Sequence, residues 1–216
     1  MRLPRRARRI VGRVPLRAVF GAEHTMSMPA SSRRWTADEV RAMQDESRAW
    51  PRYELIDGEL LVTPSPRLAH QRAVKLLLLA LDPWVEANGV GEVFTSPADI
   101  ELESGTIVQP DVFVVPRSSA LPIASWRDVR ALSVAAEVTS PSTARWDRVE
   151  KRRFFGRRRV DQYWVLDLDA RVVERTTPGD PKVEVLDELL EWHPSAGVAA
   201  FRLELPPFFA RVHGDA

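Results

Sequence analysis

At 216 residues the chain is long enough to bury one sizeable core and short for two, so a single folded unit over residues 35–216 is the expectation. Its composition, 44% hydrophobic with seven Trp and no cysteine, excludes wholesale disorder, a disulfide framework and thiolate metal sites, and favours a cytoplasmic home. The net charge of +1 hides an asymmetry: residues 1–34 hold nine arginines against Glu23, leaving 22 basic and 29 acidic residues for the rest, so any nucleic-acid contact by the body must be local.

The first 34 residues read as a basic, unstructured arm, with an amphipathic targeting peptide or a DNA-tracking arm as alternatives; Arg13, Pro15 and Arg17 interrupt the apolar stretch that a signal peptide would need. Order is expected from Trp35, where Thr36 and Glu39 form a capping box for a short helix through about Gln44. In Tyr53 to Val62, apolar-rich runs flank Asp57-Gly58, the dipeptide that tolerates the positive φ angles of a type I′ hairpin turn. Pairing about that turn puts Glu54, Ile56, Glu59 and Leu61 on one face and Tyr53, Leu55, Leu60 and Val62 on the other. After Pro64 and Pro66, a helix from about Ala69 to Ala87 carries Val74, Leu77, Leu78, Leu81 and Val85 at helical spacing. Its leucine-rich run from Leu76 to Leu81 is far short of the roughly 18 apolar residues needed to span a bilayer, so no membrane role is expected.

Strands are expected at Val93 to Thr95, Ala98 to Leu102, Ile107 to Val115 and Ser133 to Thr139. Asp111 opens the apolar run Val112 to Val115, and Glu137 sits within Val134 to Val138; carboxylates are depleted from such strands because a buried charge is costly without a partner. Taken singly, Asp111 reads better as a strand-end residue capping a turn, and Glu137 is equally half of a structural ion pair. A helix from about Ala144 to Arg158 follows. Advancing 100° per residue brings Asp147, Lys151, Phe154, Phe155 and Arg158 to one side, so Lys151, one of only three lysines, faces the sheet unless it snorkels to the surface. The outward cations Arg148, Arg152, Arg153, Arg157 and Arg159 offer contacts to a nucleic-acid backbone or a merely solvated face. Strands at Gln162 to Leu168, Val172 to Thr176, Val183 to Leu186 and Phe201 to Leu205 complete the pattern, and the apolar tail Leu205 to Phe209 suggests docking on a second copy, hence a homodimer. The chain carries no P-loop, G-x-G-x-x-G, G-x-S-x-G or H-E-x-x-H sequence, which removes support for the chemistries those motifs serve.

The succession Tyr53 to Leu60, Ser65-Pro66 with His70-Gln71, Gln109-Pro110-Asp111, Glu137 to Thr143, Asp147, Lys151 and Gln162 to Asp167 resembles the Uma family of restriction-endonuclease-like proteins, within the PD-(D/E)xK nuclease superfamily. The resemblance implies an α/β fold with a mixed sheet flanked by helices, an N-terminal β-hairpin and a site along the sheet edge. It implies Asp111 and Glu137 as ligands of Mg²⁺, or of Mn²⁺ in its place, Lys151 as the catalytic amine, Glu54 and less readily Glu59 as further acids, and DNA as the substrate. His70 is either an accessory proton donor or a structural histidine, and Asp147 fixes Lys151 from one turn away. The lysine usual two residues after the second acid is Thr139 here, and in Uma-like sequences the following helix supplies it, as Lys151 does. Phe155 and Gln162 also depart from the usual Tyr and acid. The implied function is endonucleolytic phosphodiester hydrolysis; the alternative is an inactive nuclease-fold module that binds nucleic acid or a partner protein.

Overall fold

The computed structural model describes residues 33–46, 51–117 and 123–215, so the expected basic arm lies outside the described residues apart from Arg33 and Arg34. Helix α1 (Ala37–Glu46) opens on the anticipated capping box: the Thr36 amide donates to Glu39 Oε2 at 3.0 Å and the Glu39 amide to Thr36 Oγ1 at 3.3 Å. Strands β1 (Arg52–Ile56) and β2 (Glu59–Thr63) form the hairpin in the expected register, Glu54 opposite Leu61 and Ile56 opposite Glu59. Asp57 (φ 50°) and Gly58 (φ 78°) take the two left-handed positions that make this dipeptide the turn.

Helix α2 (Leu68–Asn88) buries Ala73, Leu77, Leu81 and Val85, a row at four-residue spacing on one face. It stops where Gly89 turns left-handed (φ 63°) and its amide caps the carbonyls of Glu86 and Val85. Strands β3 (Gly91–Thr95), β4 (Val112–Pro116), β5 (Val134–Thr139), β6 (Gln162–Asp167), β7 (Val172–Thr177) and β8 (Asp180–Leu186) make a six-stranded sheet in that order. Only β5 and β6 run parallel, because the helical segment between them is the one crossover in the sheet. A separate pair, β9 (Leu189–Trp192) and β10 (Phe201–Glu204), leads into α5 (Leu205–His213).

Both faces of the sheet are covered. Val112, Val114, Val134, Ala136, Val138, Trp164 and Leu166 face α2 and α5, while Phe113, Val115, Ala135, Tyr163 and Val165 pack with Phe154 and Phe155. By the two-residue period of a strand, Asp111 and Glu137 belong to the second of these faces.

Three expectations fail for identifiable reasons. The run Ile107 to Val115 is not one strand: Ile107 and Val108 make only single bridges, to Leu55 and Ile100, and β4 begins after Pro110, which has no amide to offer a ladder. Ala98 to Leu102 likewise contributes only the Ile100 bridge. The apolar tail Leu205 to Phe209 is the start of α5, whose Leu205, Phe208, Phe209 and Val212 are buried in the core, so it is not the docking surface that suggested a homodimer. No helix among the described residues is long and apolar enough to cross a membrane.

Candidate active site

The crossover from β5 to β6 is helical but not uniform. A short α3 (Ala144–Trp146) passes into a π-helical turn (Asp147–Lys151) and then α4 (Arg152–Arg157); such single π turns are frequent at functional positions. The turn buries Asp147 and Lys151, and α4 buries Phe154 and Phe155, as the helical projection requires. Arg158 departs from it, being exposed where the chain leaves helical geometry (ψ 2°). The Tyr163 hydroxyl donates to the Asp147 carbonyl at 2.9 Å, tying the turn to β6.

Asp111 immediately precedes Val112, which pairs with Ala136 across the antiparallel β4–β5 ladder, so Asp111, just before β4, and Glu137, within β5, fall opposite one another on two inner strands rather than along an edge strand. The Val138 amide donates to Asp111 Oδ2 at 2.9 Å. Lys151 Nζ lies 2.9 Å from Glu137 Oε1, 2.9 Å from Glu54 Oε2 and 3.7 Å from Asp147 Oδ1. The other oxygen of Glu54 accepts the Gln109 amide at 2.7 Å. Glu54, Asp111, Glu137, Asp147 and Lys151 are all buried, none more than 6% exposed. Glu59, on the same side of the hairpin but beside its turn, is exposed and is absent from the residues lining this cleft.

An arginine also enters the group. Arg52 reaches Asp111 Oδ1 at 3.2 Å, and His70 Nε2 lies 3.0 Å from Asp111 Oδ2. The amine at Glu137 is therefore Lys151, while the arginine sits on the other acid. Arg52 was absent from the sequence reading, although strand alternation puts it on the side of Glu54. Gln109 belongs to the Gln109-Pro110-Asp111 motif, but it holds Glu54 through its backbone amide, which no residue type signals.

Four carboxylates thus face Lys151 and Arg52, with His70 at the side. Burial drives the Glu137 carboxyl well above its ordinary value; Lys151 opposes this, but Asp111, Asp147 and Glu54 add to it. Burial likewise pushes Asp147 up to about 6 despite Lys151 and the Thr143 hydroxyl. At Asp111 burial is overcome by His70, Arg52 and Lys151, which hold the carboxyl down at about 2. Burial alone would lower the Lys151 amine, but Glu137, Glu54 and Asp147 raise it. The excess of acid over cation and the hard oxygen donors fit a divalent cation of the Mg²⁺ kind. Among the described residues no group of three or more His, Asp or Glu side chains is already arranged to hold a metal ion.

Three of the outward arginines, Arg148, Arg152 and Arg157, are tied to acids, while Arg153 and Arg159 stay exposed. Arg148 donates to Asp167 at 2.5 Å and Glu174 at 2.6 Å, Arg152 pairs with Glu174, Arg157 with Asp57, and Arg153 lies 3.6 Å from Glu150. Trp146 packs against the Phe154 and Phe155 cluster rather than standing out as a stacking platform.

The family model described as "Uma2: Putative restriction endonuclease" matches residues 37–206. No curated protein matches the chain. Among solved structures, one described as "a putative nuclease belonging to DUF820 from Anabaena variabilis ATCC 29413" is similar with a TM-score of 0.63 and 20% identity, over 82% of this chain and 98% of that one. At that identity the likeness concerns the fold.

Proposed function

From the premise that the chain belongs to the Uma2 family, described as putative restriction endonucleases, we propose that it is a metal-dependent endonuclease that hydrolyses phosphodiester bonds in DNA. The observation that carries this reading is the meeting of two strand-borne acids and a helix-borne amine in one cleft, with Lys151 Nζ 2.9 Å from Glu137 and Asp111 bonded to the neighbouring Val138 amide.

Asp111 and Glu137 would hold Mg²⁺, or Mn²⁺ in its place. When bound, the ion makes a coordinated water more acidic and offsets charge on the phosphate oxygens. Lys151, held protonated by the acids around it, cannot take a proton from water; its work is to place positive charge where the phosphate gains negative charge. Glu54, fixed by the Gln109 amide, keeps the amine in position, and Asp147 does the same from the π turn. The cysteine-free composition fits a cytoplasmic enzyme.

The test uses circular DNA, which only an internal cut can open. Purified full-length protein with Mg²⁺ or Mn²⁺ is incubated with a plasmid and with a single-stranded circle, beside Asp111→Ala. Opening of either circle that the variant abolishes supports the reading, and intact circles under every condition overturn it.

A second reading is favoured by how far Arg52, His70 and Lys151 already neutralise the acids: a nuclease fold that binds nucleic acid or a partner protein without cutting. It requires Glu137→Ala to leave binding intact, and metal-dependent turnover lost in that variant removes it.

A further inference from the structure

We propose, building on the endonuclease reading, that Arg52 is the stand-in cation of the metal-free site: it holds the oxygen of Asp111 that a divalent ion takes, and once displaced it binds the phosphate of the substrate.

The two oxygens of Asp111 are engaged differently. Oδ2 accepts the Val138 amide at 2.9 Å and lies 3.0 Å from His70 Nε2. An ionised carboxylate only accepts, so His70 donates here, and together with the amide it uses both lone pairs of that oxygen. These two bonds fix Oδ2 to β5 and α2 and settle how the carboxylate lies. A cation that is to sit on Asp111 is left with Oδ1, and Oδ1 is where Arg52 stands, at 3.2 Å.

The Arg52 contact is built for exchange. Arg52 lies two residues before Glu54 on β1, on the same side of the strand, and it lines the cleft with Glu54, Asp111 and Glu137. It approaches Asp111 with one nitrogen, at the long end of the roughly 2.7–3.2 Å usual for such bonds. A guanidinium that locks onto a carboxylate does so through two shorter, parallel bonds. Arg148 shows a firmer hold in the same molecule, with two acids at 2.5 Å and 2.6 Å. Lys151 is wedged between Glu54 and Glu137 at 2.9 Å from each, so a change at Asp111 does not release it. The other cations of the cleft do not stand on Asp111: His213 bonds the Leu168 carbonyl at 2.9 Å, and Arg67 is exposed and makes no ion pair with Asp111 among the described residues.

Two charges on a compact, hard ion attract a carboxylate oxygen more strongly than one charge spread over a guanidinium. Arg52 is only 11% exposed at its side chain, and a charge left in such a place without a partner is costly. The displaced head group therefore needs a new anion, and a phosphodiester oxygen pair matches its planar fork. Metal and phosphate then bind with positive coupling, since the phosphate relieves the cost that the metal imposes on Arg52. The neutralisation of Asp111 in the metal-free protein is provisional on this account, unlike the permanent pairing of a module that only binds.

The experiment titrates Mn²⁺ by isothermal calorimetry into full-length wild type, Arg52→Gln and Arg52→Lys, with Asp111→Asn as the blank, and measures opening of whichever DNA circle the wild type cuts at saturating Mn²⁺. Arg52→Gln is expected to bind Mn²⁺ about tenfold more tightly and to show a KM about tenfold higher. A merely structural arginine would weaken both. Arg52→Lys keeps the charge and should stay within about threefold of wild type in Mn²⁺ affinity, and Arg153→Ala, an exposed change away from Asp111, should leave both parameters within about twofold. Unchanged or weaker Mn²⁺ binding by Arg52→Gln, or an unchanged KM, overturns this inference and leaves the endonuclease reading standing. If Arg52→Gln does not fold, wild type decides: the Arg52 Nε–H NMR resonance, identified by its loss in Arg52→Lys, must shift as Mg²⁺ is added and stay fixed in Asp111→Asn, and a resonance unmoved in wild type overturns the inference. Absence of Mn²⁺ binding to wild type, or no opening of any circle with Mn²⁺ bound, overturns both.

Discussion

Replacing Lys151 by Met tests whether the buried amine is the keystone of the acid cluster. Its ammonium lies 2.9 Å from each of two buried carboxylates and 3.7 Å from a third. Met fills a similar volume without charge, so the buried position stays filled while Glu54, Glu137 and Asp147 lose their common cation. Removing one partner from a buried ion pair costs about 3–5 kcal/mol, because the remaining charge is left uncompensated. For a domain of this size that corresponds to roughly 10 °C in Tm. The variant should therefore melt well below wild type in EDTA, read by circular dichroism. Adding Glu137→Gln to Lys151→Met should return part of the loss, since it removes one of the stranded acids; a thermodynamic cycle over the two changes isolates the coupling. A Lys151→Met protein melting within about 2 °C of wild type would show that the amine escapes to solvent, and the argument for a buried catalytic lysine would fail.

The pH dependence of stability has a definite sign at Asp147. Its carboxyl is raised from 3.8 to about 6 by burial, so the folded state holds this proton more tightly than the unfolded state. The stabilisation is complete below 3.8 and is lost as pH rises through 6, by at most about 3 kcal/mol. Asp147→Asn should flatten that slope and be more stable than wild type at pH 8 in urea titrations; a variant retaining the wild-type slope contradicts the assignment. Arg148→Ala should lower stability by about 1 kcal/mol, because its partly exposed pairs with Asp167 and Glu174 are lost. The same change should leave affinity for single-stranded DNA within about twofold of wild type, measured by fluorescence anisotropy, and a tenfold drop would restore the outer helix face as a binding surface.

Several features were legible because one local rule decided them. Asp57-Gly58 fixed the hairpin register, which in turn placed Glu54 toward the cleft. Glu137 in an all-apolar strand and Lys151 at helical phase with two phenylalanines were each visible as a buried charge needing a partner, and the structure brings them together. Other features depended on partners far away in the chain. Arg148, Arg152 and Arg157 looked unpaired because their acids, Asp167, Glu174 and Asp57, come from β6, β7 and the hairpin turn. Leu205 to Phe209 looked like a loose apolar tail, yet Pro206 and Pro207 occupy the first helical turn, where a missing amide costs nothing. Ile107 to Val115 looked like one strand because alternation was followed through Pro110, where the ladder cannot continue.

The composition of the cleft floor argues against a purely structural role. Buried ion pairs rarely stabilise a fold more than apolar residues of similar volume would. A chain that needed only to close its core here would gain nothing from four carboxylates, and two of them, Glu137 and Asp147, are driven above their ordinary values by burial and by their neighbours. Neither Lys151 nor Arg52 removes that strain, since Arg52 is spent on Asp111, the acid already held low. The surplus negative charge sits where Asp111 and Glu137 face one another across β4 and β5, on the wall of the cleft. A divalent cation would relieve the repulsion and also bring the phosphate in, so its binding should raise the stability of this protein, and Glu137→Gln should abolish that metal-induced gain even in the absence of any nucleic acid.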